Sequence, residues 1–211
     1  MSVLDDIQGQ VAEITASHAL GADFKGFAYW YLEEIEDFGQ EEAEELVVDG
    51  AWDRGRDAVH IDEEQRKLTI YQFKYSDNLQ YVAGAFTDIQ NGVQAEQASL
   101  TTVDSLRLVV VTTANADQEL QRAAKNAQRR IRRWLTINDF RNVEATVELV
   151  DLNHFRQVFE TLYGISLTLD FRTPPLAVDG AVVGLVDASV FAGIRGQRGT
   201  LRLQHQEVPW R

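Results

Sequence analysis

The segment SLRLVVVTT, residues 105–113, constrains the fold of this chain more than any other part of the sequence. A nearly continuous run of Leu and Val, bounded by polar residues, is typical of a β-strand that is buried on both faces. Such a strand needs neighbouring strands beside it and helices above and below it. The segment therefore predicts a layered α/β domain.

Patterns typical of helices and of strands alternate around this segment. Apolar residues recur at three- and four-residue intervals in the predicted helices, and short apolar runs bounded by turns indicate the strands. In chain order we predict helices at 3–20, 24–38 and 40–46, strands at 57–61 and 68–75, a helix within 79–103, the strand at 105–113, a helix at 117–135, a strand at 145–152 and a helix near 154–163. This order predicts a three-layer α/β domain in which helices flank a central mixed sheet.

The pattern changes near residue 165. A strand-like LTLDF is followed by a Pro pair, by VDGAVVGLV and by a Gly- and Arg-rich tail. We predict one main domain at 1–164 and a small C-terminal extension at 165–211. The extension is interpreted as an appendage or as the start of a truncated second domain.

Composition limits the kinds of site that the chain can carry. It contains no run of about 18 apolar residues and no basic-then-apolar leader, so we expect a soluble, cytoplasmic protein without a membrane span. The chain has no cysteine, which excludes thiolate metal sites, and its four histidines show no ligand spacing. Any metal is therefore expected to be an oxygen-preferring ion such as Mg²⁺ or Mn²⁺.

The distribution of charge points to a nucleic-acid partner more than the net charge does. A net charge of −13 disfavours binding to phosphates, but acidic residues fill 33–53 while cations crowd into 122–133. At about 100° per residue, one face of the predicted helix there gathers a row of cations. We predict that this face contacts phosphates, with an ordinary solvated surface as the alternative. Its residues are Arg122, Lys125, Arg129, Arg132 and Arg133.

Gln72 and Lys74 lie two positions apart in the apolar strand predicted at 68–75. Alternate residues of a strand face the same way, so these two side chains project from one side of the sheet and the aromatic residues around them from the other. Burying an unpaired ammonium is costly, so Lys74 requires a carboxylate, a bound anion or a functional role. Asp57 opens the preceding strand, and a hairpin would bring it beside this pair.

A carboxylate, a second oxygen ligand and a lysine around one point are the groups that phosphodiester hydrolysis requires. The carboxylate holds a divalent cation, which polarises the phosphate and lowers the pKa of a bound water. The lysine orients that water or offsets charge that grows on the phosphate oxygens. Asp57, Gln72 and Lys74 are therefore the candidate catalytic residues. A purely structural ion pair between Asp57 and Lys74 is the alternative.

The segments GRDAVHID and LTIYQFKYS together resemble the PD-(D/E)XK nuclease superfamily, in the form where glutamine replaces the second acidic residue. The longer stretch from AYWYLEE to QFKYS resembles the N-terminal nuclease domain of the abortive phage infection (AIPR) family. This resemblance covers residues 24–76, and VDASVFAGIRGQRG is similar to the segment where that family leaves its nuclease domain. It implies a restriction-endonuclease-like core, a role in defence against phage or other foreign DNA, and further domains of a longer protein.

Carried onto this chain, the resemblance implies that Asp57 binds the metal and that Gln72 and the Phe73 carbonyl supply further oxygen ligands. It implies Lys74 as the catalytic lysine. A single charged ligand is few for Mg²⁺, so we expect an additional carboxylate near Asp57. The candidates are Glu34, Glu45 and Asp53.

The sequence therefore predicts a Mg²⁺- or Mn²⁺-dependent endonuclease that hydrolyses DNA phosphodiester bonds. By analogy with nucleases that pair to cut two strands, a homodimer is expected. Two other functions stay open: a catalytically inactive nucleic-acid-binding module that keeps the fold, and a protein-interaction domain whose acidic surface docks a partner or mimics DNA. The sequence also leaves open whether the substrate is DNA or RNA, whether it is single- or double-stranded, and whether cleavage is sequence-specific.

Overall fold

The computed structural model describes residues 3–18, 20, 23–48 and 55–162, with side chains through residue 159, and four short strands beyond them. Its main helices and strands follow one another in the order that the sequence predicts. They are α1 (Val3–Ser17), α2 (Asp23–Glu34), α3 (Gln40–Leu46), β1 (Ala58–Asp62), β2 (Lys67–Lys74), α4 (Leu79–Ala95), a short 3-10 helix (Ser99–Thr101), β3 (Ser105–Thr112), α5 (Gln118–Ile137), β4 (Glu144–Val150), α6 (Leu152–Leu162), β5 (Ile165–Thr168), β6 (Leu176–Val178), β7 (Ala181–Val183) and β8 (Leu201–Gln204).

The central sheet has four strands in the order β1-β2-β3-β4. β1 runs antiparallel to β2, with Ala58 opposite Tyr71, whereas β3 and β4 continue the sheet in parallel. Antiparallel neighbours can be joined by a short turn, but each parallel step needs a crossover connection. α4 lies in the crossover from β2 to β3, and α5 in that from β3 to β4. The predicted α/β class with a mixed sheet is confirmed.

One face of the sheet is covered by α4 and α5. Leu68 and Ile70 of β2 and Leu108 of β3 are buried in a single apolar cluster with residues from both helices. Burying a Leu or Ile side chain contributes about 1.5–3 kcal/mol, so this cluster holds the helices on the sheet. The helix residues in it include Val82, Phe86, Ile89, Leu120, Ala127 and Ile131.

The opposite face of β2 is aromatic and is covered by α2. The Tyr71 and Phe73 rings lie parallel, with centroids 6.0 Å apart. Phe27 and Tyr31 of α2 meet the Phe73 ring edge-on, at 6.1 and 5.7 Å. Pairs of this geometry add about 0.5–1.5 kcal/mol each beyond the area that they bury. The aromatic residues of β2 therefore face α2, as strand alternation predicts.

A charged network lies on this aromatic face, just after α2. Arg107 of β3 donates to both carboxylate oxygens of Glu36, at 3.1 and 2.8 Å, and to Glu148 of β4 at 2.8 Å. The Tyr31 and Tyr71 hydroxyls also donate to Glu36, at 2.8 and 3.1 Å. Burial, together with the Glu36 charge, raises the pKa of both tyrosines. Burial by itself would raise the pKa of Glu36, but the hydrogen bonds and charge of Arg107 outweigh it and lower that pKa.

α2 ends earlier than the apolar spacing predicts. The spacing predicts a helix to residue 38 or 39, but the helix ends at Glu34. Asp37 adopts the left-handed backbone region, with a φ of 61°, which a continuing α-helix does not allow. Glu36 lies just after this end of the helix and forms its ion pair with Arg107 there.

The chain divides into two compact units, Met1–Phe155 and Arg156–Arg211. In the second unit β5 pairs with β8 in parallel and β6 pairs with β7 in antiparallel fashion. The predicted boundary at residue 164 and the interpretation of the extension stay predictions. Across the described ranges, no helix has both the length and the apolar character that crossing a lipid bilayer requires.

Replacing Glu36 with Gln removes the charge that Arg107 faces and keeps the shape of the side chain. We expect the free energy of unfolding to fall by about 2–3 kcal/mol at neutral pH, because a mostly buried guanidinium loses a charged partner. The pKa of Glu36 is lower in the folded protein than in the unfolded chain. The charged carboxylate therefore stabilises the fold at pH values above the unfolded-state pKa, and this contribution is lost as the pH falls through the folded-state pKa. Denaturant unfolding should therefore show a difference from wild type that is full at pH about 7 and shrinks in acid.

The matched control is Glu34→Gln, which removes an exposed carboxylate near the same helix end. Its unfolding free energy should stay within about 0.5 kcal/mol of wild type. Equal stability of Glu36→Gln and wild type at neutral pH would contradict the role assigned to the network.

Candidate functional site

The candidate site lies at one edge of the central sheet, where parallel strands end. β2 and β3 end at Lys74 and Thr112, which are paired, and the antiparallel β1 begins at Ala58 on the same edge. Thr112 links the loops there, since its hydroxyl donates to the Ser76 carbonyl and accepts from the Ala114 N–H, both at 3.1 Å. Open α/β sheets bind their ligands outside the carboxyl ends of parallel strands. The predicted catalytic residues therefore lie where this class of fold places a site.

Asp57 immediately precedes β1, and its main chain continues the pairing. Its N–H donates to the Tyr71 carbonyl at 2.9 Å, and its carbonyl accepts from the Val48 N–H at 2.9 Å. Its carboxylate oxygen Oδ2 accepts from the Gln72 side-chain amide and from the Phe73 N–H, both at 2.6 Å. Short hydrogen bonds to a charged oxygen are the strong ones in proteins, so this carboxylate is firmly held. The structure thus brings Asp57 and Gln72 together.

Gln72 retains one polar atom without a partner. Because its Nε2 donates to Asp57, the other end of the amide must present the oxygen Oε1 elsewhere. That oxygen is buried and accepts no hydrogen bond from the described part of the chain. A buried acceptor without a donor costs about 1–3 kcal/mol and requires an explanation. A cation bound beside Oε1 would supply the missing partner.

Lys74 projects from the same face of β2 as Gln72, and its side chain is only 10% exposed. Its Nζ donates to Asp88 Oδ2 of α4 at 3.2 Å and lies 4.8 Å from the centre of the Tyr81 ring. The carboxylate that a buried lysine requires is therefore Asp88. An ammonium carries three donors, so one bond to Asp88 leaves capacity for a phosphate or a water.

The segment that carries Asp57 packs directly on α4. Gly55 has a φ of 82°, and any side chain at this position would collide with the backbone carbonyl of Asp88. Gly92, one turn further along α4, approaches the Gly55 carbonyl so closely that an added Cβ would lie 2.8 Å from it. Glycine at both positions permits this contact of backbone with backbone. α4 therefore positions Asp57 through Gly55 and Lys74 through Asp88.

Two further carboxylates predicted as metal ligands are exposed to solvent. Glu34 ends α2, which packs on the opposite, aromatic face of β2. Glu45 lies on α3, shortly before Val47, which pairs with Ala58 at the start of β1. The third candidate, Asp53, lies outside the described residues. Ligand roles for these carboxylates and for the Phe73 carbonyl stay predictions.

α5 presents its predicted cations to solvent. They are exposed on the side opposite to the buried Ala127 and Ile131. Arg132 differs from the others, because its guanidinium donates to the Ala145 carbonyl of β4 at 3.2 Å. The rest make no ion pair or hydrogen bond with side chains in the described ranges. We call this surface the basic face of α5, and it comprises Arg122, Lys125, Arg129, Arg132 and Arg133.

Asp88 is part of the site because it pairs with Lys74, although the sequence patterns used to predict the site residues do not identify it. It is the one charged residue in the sequence of α4, LQYVAGAFTDIQNGVQA. Lys74 is likewise an isolated charge in an apolar strand, and a charge in such a setting needs a partner. Pairing the two isolated charges is the signal in the sequence that would have identified Asp88.

The donor set at this edge suits a hard cation that keeps part of its water shell. Within the described ranges, no group of three or more His, Cys, Asp or Glu side chains is arranged to hold a metal ion. A cation here would rest on the Asp57 carboxylate, the Gln72 amide oxygen and backbone carbonyls. Mg²⁺ accepts such oxygen ligands and usually keeps several waters beside one or two carboxylates. The buried, unpartnered Oε1 of Gln72 fits this arrangement.

The chain matches no family model, no curated protein and no solved structure. Membership of the PD-(D/E)XK superfamily therefore stays a prediction from the sequence. The function is inferred from the geometry of the site together with that resemblance.

Replacing Gly55 with Ala tests how the Asp57 segment is held on α4. We expect a loss of at least about 2 kcal/mol in unfolding free energy, because the left-handed backbone and the Asp88 carbonyl both oppose a Cβ. The control is Gly84→Ala on the same helix, where a Cβ meets nothing within 4 Å. Since Ala favours helix over Gly, the control should gain up to about 1 kcal/mol in urea unfolding. A Gly55→Ala protein as stable as wild type would rule out the close packing described.

Proposed function

We propose that the chain is a Mg²⁺- or Mn²⁺-dependent endonuclease that hydrolyses DNA phosphodiester bonds, with Asp57, Gln72 and Lys74 at its centre. The observation that carries the proposal is the Asp57–Gln72 hydrogen bond, which leaves a buried amide oxygen without a partner on the same face as Lys74. A structural hydrogen bond accounts for the amide nitrogen but not for the oxygen. A cation next to that oxygen would give it a partner, while Asp57 accepts from the nitrogen.

The residues present would hold such an ion through oxygen atoms. Asp57 supplies the negative charge, and Gln72 and the Phe73 carbonyl supply neutral oxygens. When bound, a divalent cation polarises the scissile phosphate and makes a bound water more acidic. The hydrogen bonds to Oδ2 fix the Asp57 carboxylate in advance, which reduces the ordering cost of binding.

Lys74 supplies a positive charge where negative charge grows on the phosphate oxygens. Its burial strengthens this interaction, because the surroundings screen less than water does. Its N–H groups also orient the attacking water. Asp88 holds the ammonium at 3.2 Å and acts as a positioning residue.

The order of elements supports the proposal. The β1-β2 hairpin, followed by the α4 crossover to a parallel β3, brings Asp57 and the Gln-x-Lys sequence to one sheet edge, as the PD-(D/E)XK resemblance implies. A restriction-endonuclease-like core is therefore proposed for the described sheet and helices. The resemblance to the AIPR nuclease domain is the basis for proposing defence against phage or other foreign DNA in the cytoplasm. Assembly as a homodimer is proposed by analogy alone.

The basic face of α5 supports nucleic acid as the substrate. α5 follows β3, whose end at Thr112 pairs with Lys74, so Arg122 near the start of α5 lies toward that sheet edge. From Arg122 to Arg133 the helix rises by about 16 Å. Cations aligned on one face repel one another unless an anion lies along them, and a phosphate backbone is such an anion. This local charge offsets the net charge of −13.

Substituting the central residues should abolish cleavage of plasmid DNA in Mg²⁺ or Mn²⁺. Asp57→Asn removes the charge that holds the ion, and Lys74→Met removes the ammonium while keeping most of its volume. We expect each change to lower the cleavage rate by at least about 100-fold, the effect of losing one preorganised charge at a reacting phosphate. Agarose gel assays of supercoiled DNA, with EDTA as the metal-free control, measure the rate.

The matched control is Lys67→Ala, which removes a lysine from the opposite end of β2. It should cleave as wild type does, and all variants should retain cooperative thermal unfolding. Cleavage that is unchanged in both Asp57→Asn and Lys74→Met would refute the site.

A catalytically inactive nucleic-acid-binding module is the second candidate. The observation in its favour is that Lys74 is nine-tenths buried and already paired with Asp88. In such a module Asp57, Gln72 and Lys74 only stabilise the sheet edge. DNA binding by the basic face would then persist without cleavage under any metal.

Charge reversal on the basic face tests binding under either candidate. The double substitution Arg129→Glu and Arg133→Glu should weaken DNA binding by about tenfold or more and flatten its salt dependence, because fewer counterions are released. Fluorescence anisotropy at several salt concentrations gives both quantities. Arg141→Glu, an exposed cation outside α5, is the control and should have a small effect. Equal affinities for the double variant and wild type would remove the basic face from the interface.

A further inference from the structure

A groove lies between the C-terminal halves of α4 and α5, apart from the candidate catalytic residues. It measures about 610 Å³ and is lined by Asn91, Gln94, Ala95, Gln97, Trp134 and Asn138. This size falls in the range of ligand sites, about 300–1,000 Å³. The lining is mostly amide, with one aromatic ring and no charged residue. It suits a flat group that is polar but uncharged.

The amides of the groove are available for hydrogen bonds. Those of Asn91, Gln94 and Gln97 are exposed and make no hydrogen bond with side chains or backbone in the described ranges. Asn138 is oriented instead, since its Nδ2 donates to the Trp134 carbonyl at 2.8 Å. Each amide offers donors and an acceptor together. Nucleobase edges carry donors and acceptors side by side, so amides match them.

Trp134 provides a fixed aromatic surface in the groove. Its ring lies nearly parallel to that of Phe140, at 16° and with centroids 6.1 Å apart, so it is held in place from within the protein. The residue is half-buried and is one of those that line the groove. Single-stranded nucleic acids bind to aromatic side chains of this kind by stacking their bases.

The groove adjoins the C-terminal end of the basic face of α5. Arg130 lies one turn before Trp134, and its Nε donates to Gln90 of α4 at 3.2 Å, which joins the two helices beside the groove. On α4, Asn91 follows Asp88, the partner of Lys74, by three residues or about 4.5 Å of helix rise. A strand whose phosphates follow the basic face from Arg122 toward Arg133 would therefore reach the groove where that face ends, beside Trp134.

We propose that this groove binds an unpaired nucleobase of a single-stranded nucleic acid, stacked against Trp134 and hydrogen-bonded by the amides. The inference rests on the proposed function for its class of partner, but it requires neither a metal nor cleavage. A base within a duplex is paired and stacked, so it does not enter. The protein therefore binds single strands more tightly than duplexes of the same length.

The test is binding in EDTA, where no cleavage occurs, with labelled single strands of about 15 nucleotides. DNA and RNA strands of one sequence, and the corresponding DNA duplex, are compared by anisotropy. Trp134→Ala should raise the dissociation constant for single strands by about tenfold, and the double substitution Gln94→Ala and Gln97→Ala by about threefold. Gln121→Ala, an exposed amide of α5 outside the groove, is the control and should bind as wild type.

A second measurement separates stacking from loss of packing, because Trp134→Ala also removes the contact with Phe140. Trp134→Phe keeps an aromatic ring and should bind nearly as wild type. Single strands should quench the tryptophan fluorescence of wild type, and Trp134→Phe should lose most of that quenching. The same quenching in both proteins would place the base elsewhere.

The outcomes separate this inference from the proposed nuclease activity. One outcome is that single-strand binding depends on Trp134 and the two Gln residues, but no cleavage occurs when metal is added. This result supports base binding in the groove and refutes the proposed nuclease activity. Cleavage with unchanged binding in all groove variants refutes the groove alone. Absence of single-strand binding at low salt, or equal affinity for duplex and single strands, also overturns the groove. If the groove substitutions weaken binding of one nucleic acid, DNA or RNA, more than the other, that nucleic acid supplies the base.

Discussion

Two hydrogen bonds of 2.6 Å hold the Asp57 carboxylate just before β1 begins. One comes from the Phe73 N–H, so the carboxylate serves as an acceptor for the backbone of β2 at a position that β1, which begins at Ala58, does not reach. The other comes from the Gln72 amide, and it determines which way that amide is oriented. The unpartnered oxygen of Gln72 follows from this orientation, and so does the donor set proposed for a cation. Without the carboxylate, the Gln72 amide would lose the acceptor that orients it, while the hairpin would keep the main-chain hydrogen bonds of Asp57.

The side chains on the two faces of β2 have different roles, and the alternation of side chains along the strand separates the two sets. On the α2 face, Tyr71 joins the network in which Arg107 is paired with Glu36. That network uses its charges to anchor a helix, and its groups are satisfied within the protein. On the α4 face, Lys74 is paired with the partly exposed Asp88, and Gln72 keeps an open acceptor. Charges on the first face therefore stabilise the fold, whereas those on the second are the ones proposed to bind a ligand.

Most of the fold could be predicted from the sequence, because the spacing of apolar residues and the turn residues determine helices and strands locally. The strand at β3 and the basic face of α5 are examples, and so is the separation of Gln72 and Lys74 from their aromatic neighbours. Long-range contacts could not be predicted in the same way. The ion pair that follows the early end of α2 involves Arg107, far along the chain, and the pairing of Lys74 with Asp88 depends on how α4 crosses the sheet. A metal ligand beyond Asp57 also depends on tertiary placement, so spacing could not rank Glu34, Glu45 and Asp53.

The central claim, that a divalent cation binds between Asp57 and Gln72, is tested most directly by the side-chain amide of Gln72 in NMR spectra. Mg²⁺ should shift the Gln72 Nε2–H resonances in a saturable manner, and traces of Mn²⁺ should broaden them before those of the exposed Gln121. Asp57→Asn should remove both effects without altering the rest of the spectrum. Gln72 resonances that stay unchanged while Mg²⁺ rises to saturating concentrations would contradict the account.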